Sequence, residues 1–141
     1  MIEGVLITPL DVIDTPGGSV MHAMKKSSVG YVGFGEVYFS KIDYGAIKAW
    51  KRHKTMTLNL VVPVGEVKFV LFDDRYELSN EFQEVTISMN NYCRLTVPPM
   101  IWTGFQGLSP NESVVLNLAN IQHNKLEVDK LDLSKINYKW S

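Results

Sequence analysis

The stretch TMTLNLVVPVGEVKFVLFDD, residues 55–74, decides the fold class of this chain. Every second residue from Met56 to Val62 is apolar, and so is every second residue from Val67 to Leu71. A period of two places such side chains on one face of an extended strand. Residues 63–65 interrupt the alternation, as a tight turn does between paired strands. The stretch therefore predicts two antiparallel strands, paired with each other, that share one apolar face.

Short apolar runs of the same kind recur on both sides of this stretch. They cover residues 5–9, 19–24, 35–42, 83–88, 94–97 and 113–119. Clusters of Gly, Pro, Asn and Asp separate them, for example TPGG at 15–18 and SPNE at 109–112. About eight strands at this spacing predict an all-β sandwich or barrel.

Only the tail of the chain shows helical spacing. Its apolar side chains stand among charged ones at Leu126, Val128, Leu131 and Leu133. The tail is therefore expected to form either a short helix or a turn-rich strap over the barrel.

Composition limits the size of the fold and its partners. The chain has 141 residues, of which 45% are hydrophobic, which suits one compact domain better than two. We therefore expect a single domain over residues 1–141. The formal net charge of −1 gives no general attraction to nucleic acid or to a membrane surface, so neither partner is expected. The chain shows no apolar run of membrane-spanning length and no signal-peptide pattern, which predicts a cytoplasmic protein.

A cationic cluster directly precedes the opening stretch. KAWKRHK, residues 48–54, holds five Lys, Arg or His residues in seven positions. In a regular strand Lys51 and His53 share one face, while Lys48, Trp50 and Arg52 share the other. Lys and His are costly to bury in an apolar barrel without polar partners, so a solvated or ligand-filled cavity is one explanation. The other is a strand at the rim whose seven side chains are all solvated.

Four segments carry a family resemblance through their order and spacing: DTPGGS (14–19), GEVYFSKIDYGAIKAWKRHK (35–54), LNLVVPVGEVKFVLFDDR (58–75) and LTVPPMIWTGFQGLS (95–109). Together they resemble the cupin-type dTDP-4-dehydrorhamnose 3,5-epimerase family and its relatives, the dTDP-4-keto-6-deoxyhexose 3,4-ketoisomerases. The resemblance implies a single antiparallel jelly-roll barrel of the RmlC-like cupin type. It also implies a homodimer in which an N-terminal segment of one subunit packs against the other.

The catalytic motifs of the two groups are only partly kept. Against the epimerase motif Arg-Gly-Leu-His-Tyr-Gln, the Arg falls on Lys48, the catalytic His on Lys51 and the Gln on His53. The ketoisomerases carry His-x-His here, and only the second histidine is kept, as His53. The general-acid tyrosine of the epimerases falls near Asn117, and no residue of the tail matches the carboxylate that orients the epimerase histidine. These departures argue against simple epimerisation at carbons 3 and 5.

The retained residues still suit proton transfer beside a ketone. This reaction needs a base whose pKa lies near the working pH and a group that holds the developing enolate oxygen. His53 suits the first role and Lys51 the second, and Tyr38 could donate a proton or a hydrogen bond from the same cavity. The alternatives are that Tyr38 is a barrel-wall aromatic and that His53 is a ligand contact or a surface histidine.

Other residues are candidates for substrate binding. Lys48 and Arg52 could hold a diphosphate if a bulge turns them inward. Trp102 is a candidate platform for the nucleobase, and Asn117 is a further candidate contact. The resemblance implies that His22 reaches a neighbouring active site, although a surface histidine is the alternative.

No metal or other cofactor is expected. A cupin metal site needs about three imidazoles and a carboxylate, but Lys51 occupies one histidine position, and an ammonium repels a divalent ion. The segment MIWTGFQ supplies no histidine either.

Two functions remain open at this point. The first is a metal-free isomerase or epimerase of a nucleotide-linked, dTDP-type 4-keto-6-deoxy sugar in surface polysaccharide or O-antigen biosynthesis. The second is a non-catalytic cupin that binds a sugar nucleotide or a partner enzyme.

Overall fold

The computed structural model describes residues 1–77 and 80–140 and consists almost entirely of β-structure. The strands are β1 Leu6–Pro9, β2 Val12–Thr15, β3 Gly18–Met21, β4 Glu36–Ile42, β5 Ile47–His53, β6 Leu58–Val64, β7 Val67–Asp73, β8 Glu81–Ile87, β9 Cys93–Val97, β10 Trp102–Gly107, β11 Ser113–Ala119 and β12 Val128–Lys130. Two 3-10 turns, Lys125–Glu127 and Leu133–Lys135, lie in the tail.

The strands form two five-stranded antiparallel sheets and one hairpin. The first sheet has the order β1-β9-β6-β11-β4, the second has the order β12-β5-β10-β7-β8, and β2 pairs with β3. Apolar side chains from both sheets meet in one core, which includes Leu60 and Leu95 of the first sheet and Phe69 and Leu71 of the second. This arrangement confirms the predicted all-β jelly roll.

The opening stretch forms two strands as predicted, but they do not pair with each other. β6 pairs with β9 and β11, while β7 pairs with β8 and β10 in the other sheet. The turn at Gly65, where φ is 89°, carries the chain from one sheet to the next. Both strands direct their apolar faces into the same core, so alternation alone cannot distinguish a hairpin within one sheet from a corner between two.

The tail is a strap and not a helix. β12 pairs with the edge of β5, and the chain then crosses the outer face of the second sheet. There Ile136 and Trp140 pack against Trp50, Val70 and Trp102. The helical spacing of apolar residues does not describe how the tail packs. The short turns of the tail place its apolar side chains on the sheet individually. Among the described residues, no helix has the length and apolar character needed to span a membrane.

Candidate active site

A cavity of about 440 Å³ opens between the two sheets. Its volume is in the range of small-molecule sites. Its lining side chains come from both sheets and include Tyr38, Ser40, Lys48, Lys51, His53, Leu58, Leu60, Phe69, Thr103, Phe105, Val115, Asn117 and Lys130. Aliphatic and aromatic groups from the core therefore lie beside a small set of ionisable groups.

A β-bulge in β5 divides the cationic cluster between two faces. Lys51 pairs with Thr103 and Lys48 with Phe105, so β5 advances by three residues where β10 advances by two. Residues directly opposite each other point to the same side of a sheet, and the extra residue reverses the alternation. Lys48, Lys51 and His53 therefore all line the cavity, whereas a regular strand would have placed Lys48 on the other face.

His53 forms a buried pair with a carboxylate from the tail. Its Nδ1 lies 2.9 Å from Oε2 of Glu127, and the two side chains are only 10% and 7% exposed. The other carboxylate oxygen accepts hydrogen bonds from the backbone N–H groups of Thr55 and Met56, at 3.0 and 2.8 Å. Burial alone would raise the pKa of the Glu127 carboxyl, yet the hydrogen bonds from His53, Met56 and Thr55 lower it below its usual value.

The Glu127 carboxylate determines which nitrogen of the His53 imidazole carries the proton in the neutral ring. An ionised carboxylate only accepts hydrogen bonds, so Nδ1 carries the proton that faces Glu127. In the neutral imidazole Nε2 is then the nitrogen without a proton, and it can take one from a bound molecule. A carboxylate in this position also stabilises the imidazolium that forms.

The sequence did not reveal Glu127. The family resemblance gave no match in the tail for the carboxylate of the epimerases, yet the structure places Glu127 of the tail against His53. Glu127 lies 74 positions from His53 and reaches it because Val128 of β12 pairs with His53. The alternation of Leu126, Val128 and Lys130 with acidic residues was the available signal, but it is too short to predict a strand.

Three lysines bring positive charge to the cavity. Lys130, which the sequence did not single out, lies opposite Lys51 on the neighbouring strand, and Lys48 lines the same space. Partial burial lowers the pKa of the Lys51 ammonium, and the charges of Lys130 and Lys48 lower it further. Within residues 1–77 and 80–140, no carboxylate lies within salt-bridge distance of Lys51. The site is therefore electrostatically suited to an anion.

Tyr38 and Asn117 stand opposite each other on β4 and β11. Nδ2 of Asn117 donates to the hydroxyl of Tyr38 at 3.0 Å, and Oδ1 of Asn117 accepts from the backbone N–H of Asn59 at 3.2 Å. The structure thus brings the predicted residues His53, Lys51, Tyr38, Lys48 and Asn117 to one cavity.

Arg52 and Trp102 lie on the outer face of the second sheet. The Arg52 guanidinium donates to Asp129 at 2.8 and 3.1 Å and stands 4.5 Å from the centre of the Trp102 ring. The indole N–H of Trp102 donates to Asp74 at 3.1 Å. The expectation that these two side chains contact a diphosphate and a nucleobase is corrected by this placement, because the bulge turns only Lys48 inward.

His22 lies outside the cavity, in the segment after β3. Its backbone N–H donates to the carbonyl of Asp11 at 2.9 Å, and its carbonyl accepts from the Tyr92 hydroxyl at 2.8 Å. Its expected contact with a neighbouring subunit stays a prediction. In the part of the chain that the structure describes, no group of three or more His, Cys, Asp or Glu side chains could hold a metal ion.

Comparison with known proteins gives clear relatives among solved structures. A dTDP-sugar isomerase from Desulfovibrio desulfuricans is 34% identical over 95% of this chain and 87% of its own, with a TM-score of 0.91. The sugar 3,4-ketoisomerase QdtA from Thermoanaerobacterium thermosaccharolyticum is 18% identical over 92% and 89%, with a TM-score of 0.77. A dTDP-4-dehydrorhamnose 3,5-epimerase from Elizabethkingia anophelis is 18% identical over 99% and 83%, with a TM-score of 0.79. No protein-family model and no curated protein matches the chain.

The fold and site define an RmlC-like cupin whose cavity wall holds a buried histidine–carboxylate pair. At the identity and coverage of the first relative, the chain belongs to the family of dTDP-sugar isomerases, and it is an enzyme of sugar-nucleotide metabolism. The resemblance found in the sequence is confirmed, and the alternative of a non-catalytic cupin is not supported.

Proposed function

We propose that this enzyme isomerises or epimerises a dTDP-linked 4-keto-6-deoxy sugar by moving a proton at a carbon next to the ketone. The observation that carries the proposal is the buried His53–Glu127 pair at the wall of a cavity that also holds Lys51 and Tyr38. A base and two donors of this kind are what proton transfer beside a carbonyl requires.

In the proposed reaction Nε2 of His53 removes the proton, and Glu127 stabilises the resulting imidazolium. The electrons of the broken C–H bond move to the carbonyl oxygen and form an enolate. The Lys51 ammonium and the Tyr38 hydroxyl stabilise that oxygen. In an epimerisation a proton is delivered to the same carbon on the face opposite to the one that lost it. In a ketoisomerisation a proton is delivered to the former carbonyl carbon, while the hydroxyl proton of the deprotonated carbon passes to the enolate oxygen, so that the ketone moves by one carbon. The reaction needs no metal, since an ammonium stands where a cupin metal site would place an imidazole.

The diphosphate is proposed to lie against Lys48 and Lys130, which line the same cavity. An ammonium binds phosphate as a point charge, so these contacts give affinity with little directional selectivity. The similar ketoisomerase QdtA was crystallised with TDP, which supports a thymidine nucleotide as the carrier of the sugar.

The family resemblance supports three further proposals: a cytoplasmic enzyme, a role in surface polysaccharide or O-antigen biosynthesis, and a homodimer. Exposed apolar side chains favour the dimer: Val12, Ile13 and Val20 on the hairpin are 36%, 47% and 49% exposed, and Phe39 of β4 is 66% exposed. Apolar groups clustered on a surface are typical of interfaces. A monomer in sedimentation velocity would contradict the dimer, and an unchanged surface polysaccharide in a deletion strain would contradict the pathway.

Deuterium incorporation tests the reaction. The enzyme is incubated with dTDP-4-keto-6-deoxyglucose in deuterated water, and the sugar protons are followed by NMR. We expect loss of a proton signal beside the ketone, and a rate that falls by about 10²–10⁴-fold in His53→Asn. His123→Asn, the same substitution at an exposed histidine, is the matched control. Exchange at the wild-type rate in His53→Asn would show that His53 is not the base, and no exchange with any bound 4-keto sugar would reject the reaction.

A further inference from the structure

We propose that Asn117 is a positioning residue that directs the phenolic proton of Tyr38 into the cavity. The proposal rests on the proposed function, because the proton is useful only where a substrate oxygen gains negative charge. It assigns to Asn117 a role different from the substrate contact expected from the sequence.

The orientation of the Asn117 amide is fixed by its buried neighbour. The backbone N–H of Asn59 can only donate, so the Asn117 atom that lies 3.2 Å from it must be the carbonyl oxygen. The amide nitrogen therefore faces Tyr38 and donates to its hydroxyl oxygen at 3.0 Å. Asn117 is only 4% exposed, and a flipped amide would leave the Asn59 N–H without an acceptor.

The hydroxyl of Tyr38 consequently accepts one hydrogen bond and still has its own proton to donate. Among the described residues, the Asn117 amide is the hydrogen-bond partner found for the Tyr38 hydroxyl. Tyr38 lines the cavity, so its proton is available to a molecule bound there. Tyr38 then acts toward the substrate as a donor and not as an acceptor, which is the polarity that an enolate oxygen requires.

A second layer of hydrogen bonds holds Asn59 in place. Its side-chain oxygen accepts from the Thr96 hydroxyl at 2.6 Å, and its side-chain nitrogen donates to the carbonyl of Gly30 at 3.1 Å. Asn59 and Thr96 are 2% and 4% exposed. Such a satisfied buried network favours one arrangement of its members. The direction of the Tyr38 proton therefore depends, through Asn117, on Asn59 and Thr96, which do not line the cavity.

Asn117→Asp tests this role with little change of shape. A carboxylate at this position still accepts from the Asn59 N–H, but it has no N–H to offer, and it accepts the phenolic proton instead. The proton is then turned away from the cavity. We expect kcat to fall by about 10–100-fold while KM changes by less than about threefold, because the lost interaction forms in the transition state.

A double-mutant cycle with Tyr38→Phe separates positioning from a structural role. If Asn117 acts through the hydroxyl, Asn117→Asp should cost no more than about twofold in kcat once Tyr38 is phenylalanine. Equal losses in both backgrounds would overturn the proposal. Thermal unfolding of all four proteins shows whether each variant is folded under the assay conditions.

An NMR measurement tests the hydrogen bond without any substrate. The side-chain amide resonances of Asn117 should shift in Tyr38→Phe, since the acceptor of Nδ2 is removed, and an unchanged signal would overturn the proposal. If the wild-type enzyme exchanges no proton with any 4-keto sugar, the proposed function fails. In that case the amide resonance alone decides whether Asn117 donates to Tyr38.

Discussion

The two faces of β5 carry similar residue types and serve different purposes. On the inner face, Lys48 and Lys51 line the cavity, and His53 is paired with Glu127. On the outer face, Arg52 is paired with Asp129 and stacked over Trp102, beneath the C-terminal strap. The bulge that assigns each side chain to a face, and not the composition of KAWKRHK, therefore decides which cations are available to a substrate.

The two faces of β5 also differ in how their charges affect the stability of the fold. The outer face neutralises its charge, because the Arg52 guanidinium lies near both Asp129 and Asp74. The inner face accumulates like charges, which together with burial lower the pKa of Lys51. Active sites often retain such destabilising arrangements because function depends on them. We infer that the repelled lysines of the inner face reduce stability and that the paired charges of the outer face restore it.

After the loss of His53 itself, the largest expected effect is the loss of the carboxylate that pairs with it. Glu127→Gln should lower kcat by about 10²–10³-fold, equivalent to about 3–4 kcal/mol in the barrier, because the amide cannot stabilise an imidazolium. Asp129→Asn, two positions away on the outer face, is the matched control and should retain activity. Steady-state kinetics measures kcat for both variants. Equal losses in the two would contradict the division between faces.

Trp102→Leu should affect stability and leave the site intact. Trp102 is 4% exposed in the outer-face cluster, so removing the ring should lower the free energy of unfolding by about 2–3 kcal/mol. Urea denaturation measures this loss, and calorimetric titration measures the affinity for dTDP in the folded variant. Weaker dTDP binding at unchanged stability would restore the interpretation of Trp102 as a nucleobase platform.

Two methionine substitutions at adjacent positions should shift the melting temperature in opposite directions. Lys51→Met removes a repelled ammonium and should raise it, while kcat falls by about tenfold or more. Arg52→Met removes the partner of Asp129 and should lower it by a few degrees, with kcat retained. Differential scanning calorimetry measures the melting temperatures of the two variants. Shifts of the same sign would contradict the inferred difference in stability between the two faces of β5.

The smallest expected effect is a pH dependence of stability. The pKa of Glu127 is lower in the folded protein than in the unfolded chain, so its stabilising contribution is present above the unfolded value. It is lost as the pH falls from about 5 through the folded pKa, because the unfolded state then binds more protons. The stability difference between wild type and Glu127→Gln should therefore shrink on acidification. Urea midpoints at several pH values test this, and a constant difference would contradict it.

Much of the inner face could be predicted from the sequence. Alternating apolar residues identified β6 and β7, and the chemistry of His53, Lys51 and Tyr38 identified three residues of the cavity. These inferences succeeded because they depend only on the repeat of apolar residues along a strand and on side-chain chemistry. Both can be read from residues that are neighbours in the sequence.

The remaining features depend on contacts between distant segments. Whether β6 pairs with β7 is decided by the other strands of each sheet, and the bulge in β5 is visible only against β10. Glu127 and Lys130 reach the site through the three-residue strand β12, which is too short to produce a pattern of its own. The sequence therefore identified His53 as a residue of the cavity and could not identify the carboxylate that pairs with it.

Deuterium exchange in two variants of β5 shows whether the inner face of this strand carries the chemistry and the outer face does not. The rate of incorporation into dTDP-4-keto-6-deoxyglucose is measured by NMR for wild type, His53→Asn and Arg52→Gln at equal concentrations of folded protein. We expect a loss of about 10²–10⁴-fold in the first variant and a change of less than about twofold in the second. Exchange that survives in His53→Asn, or that is lost in folded Arg52→Gln, would contradict this expectation.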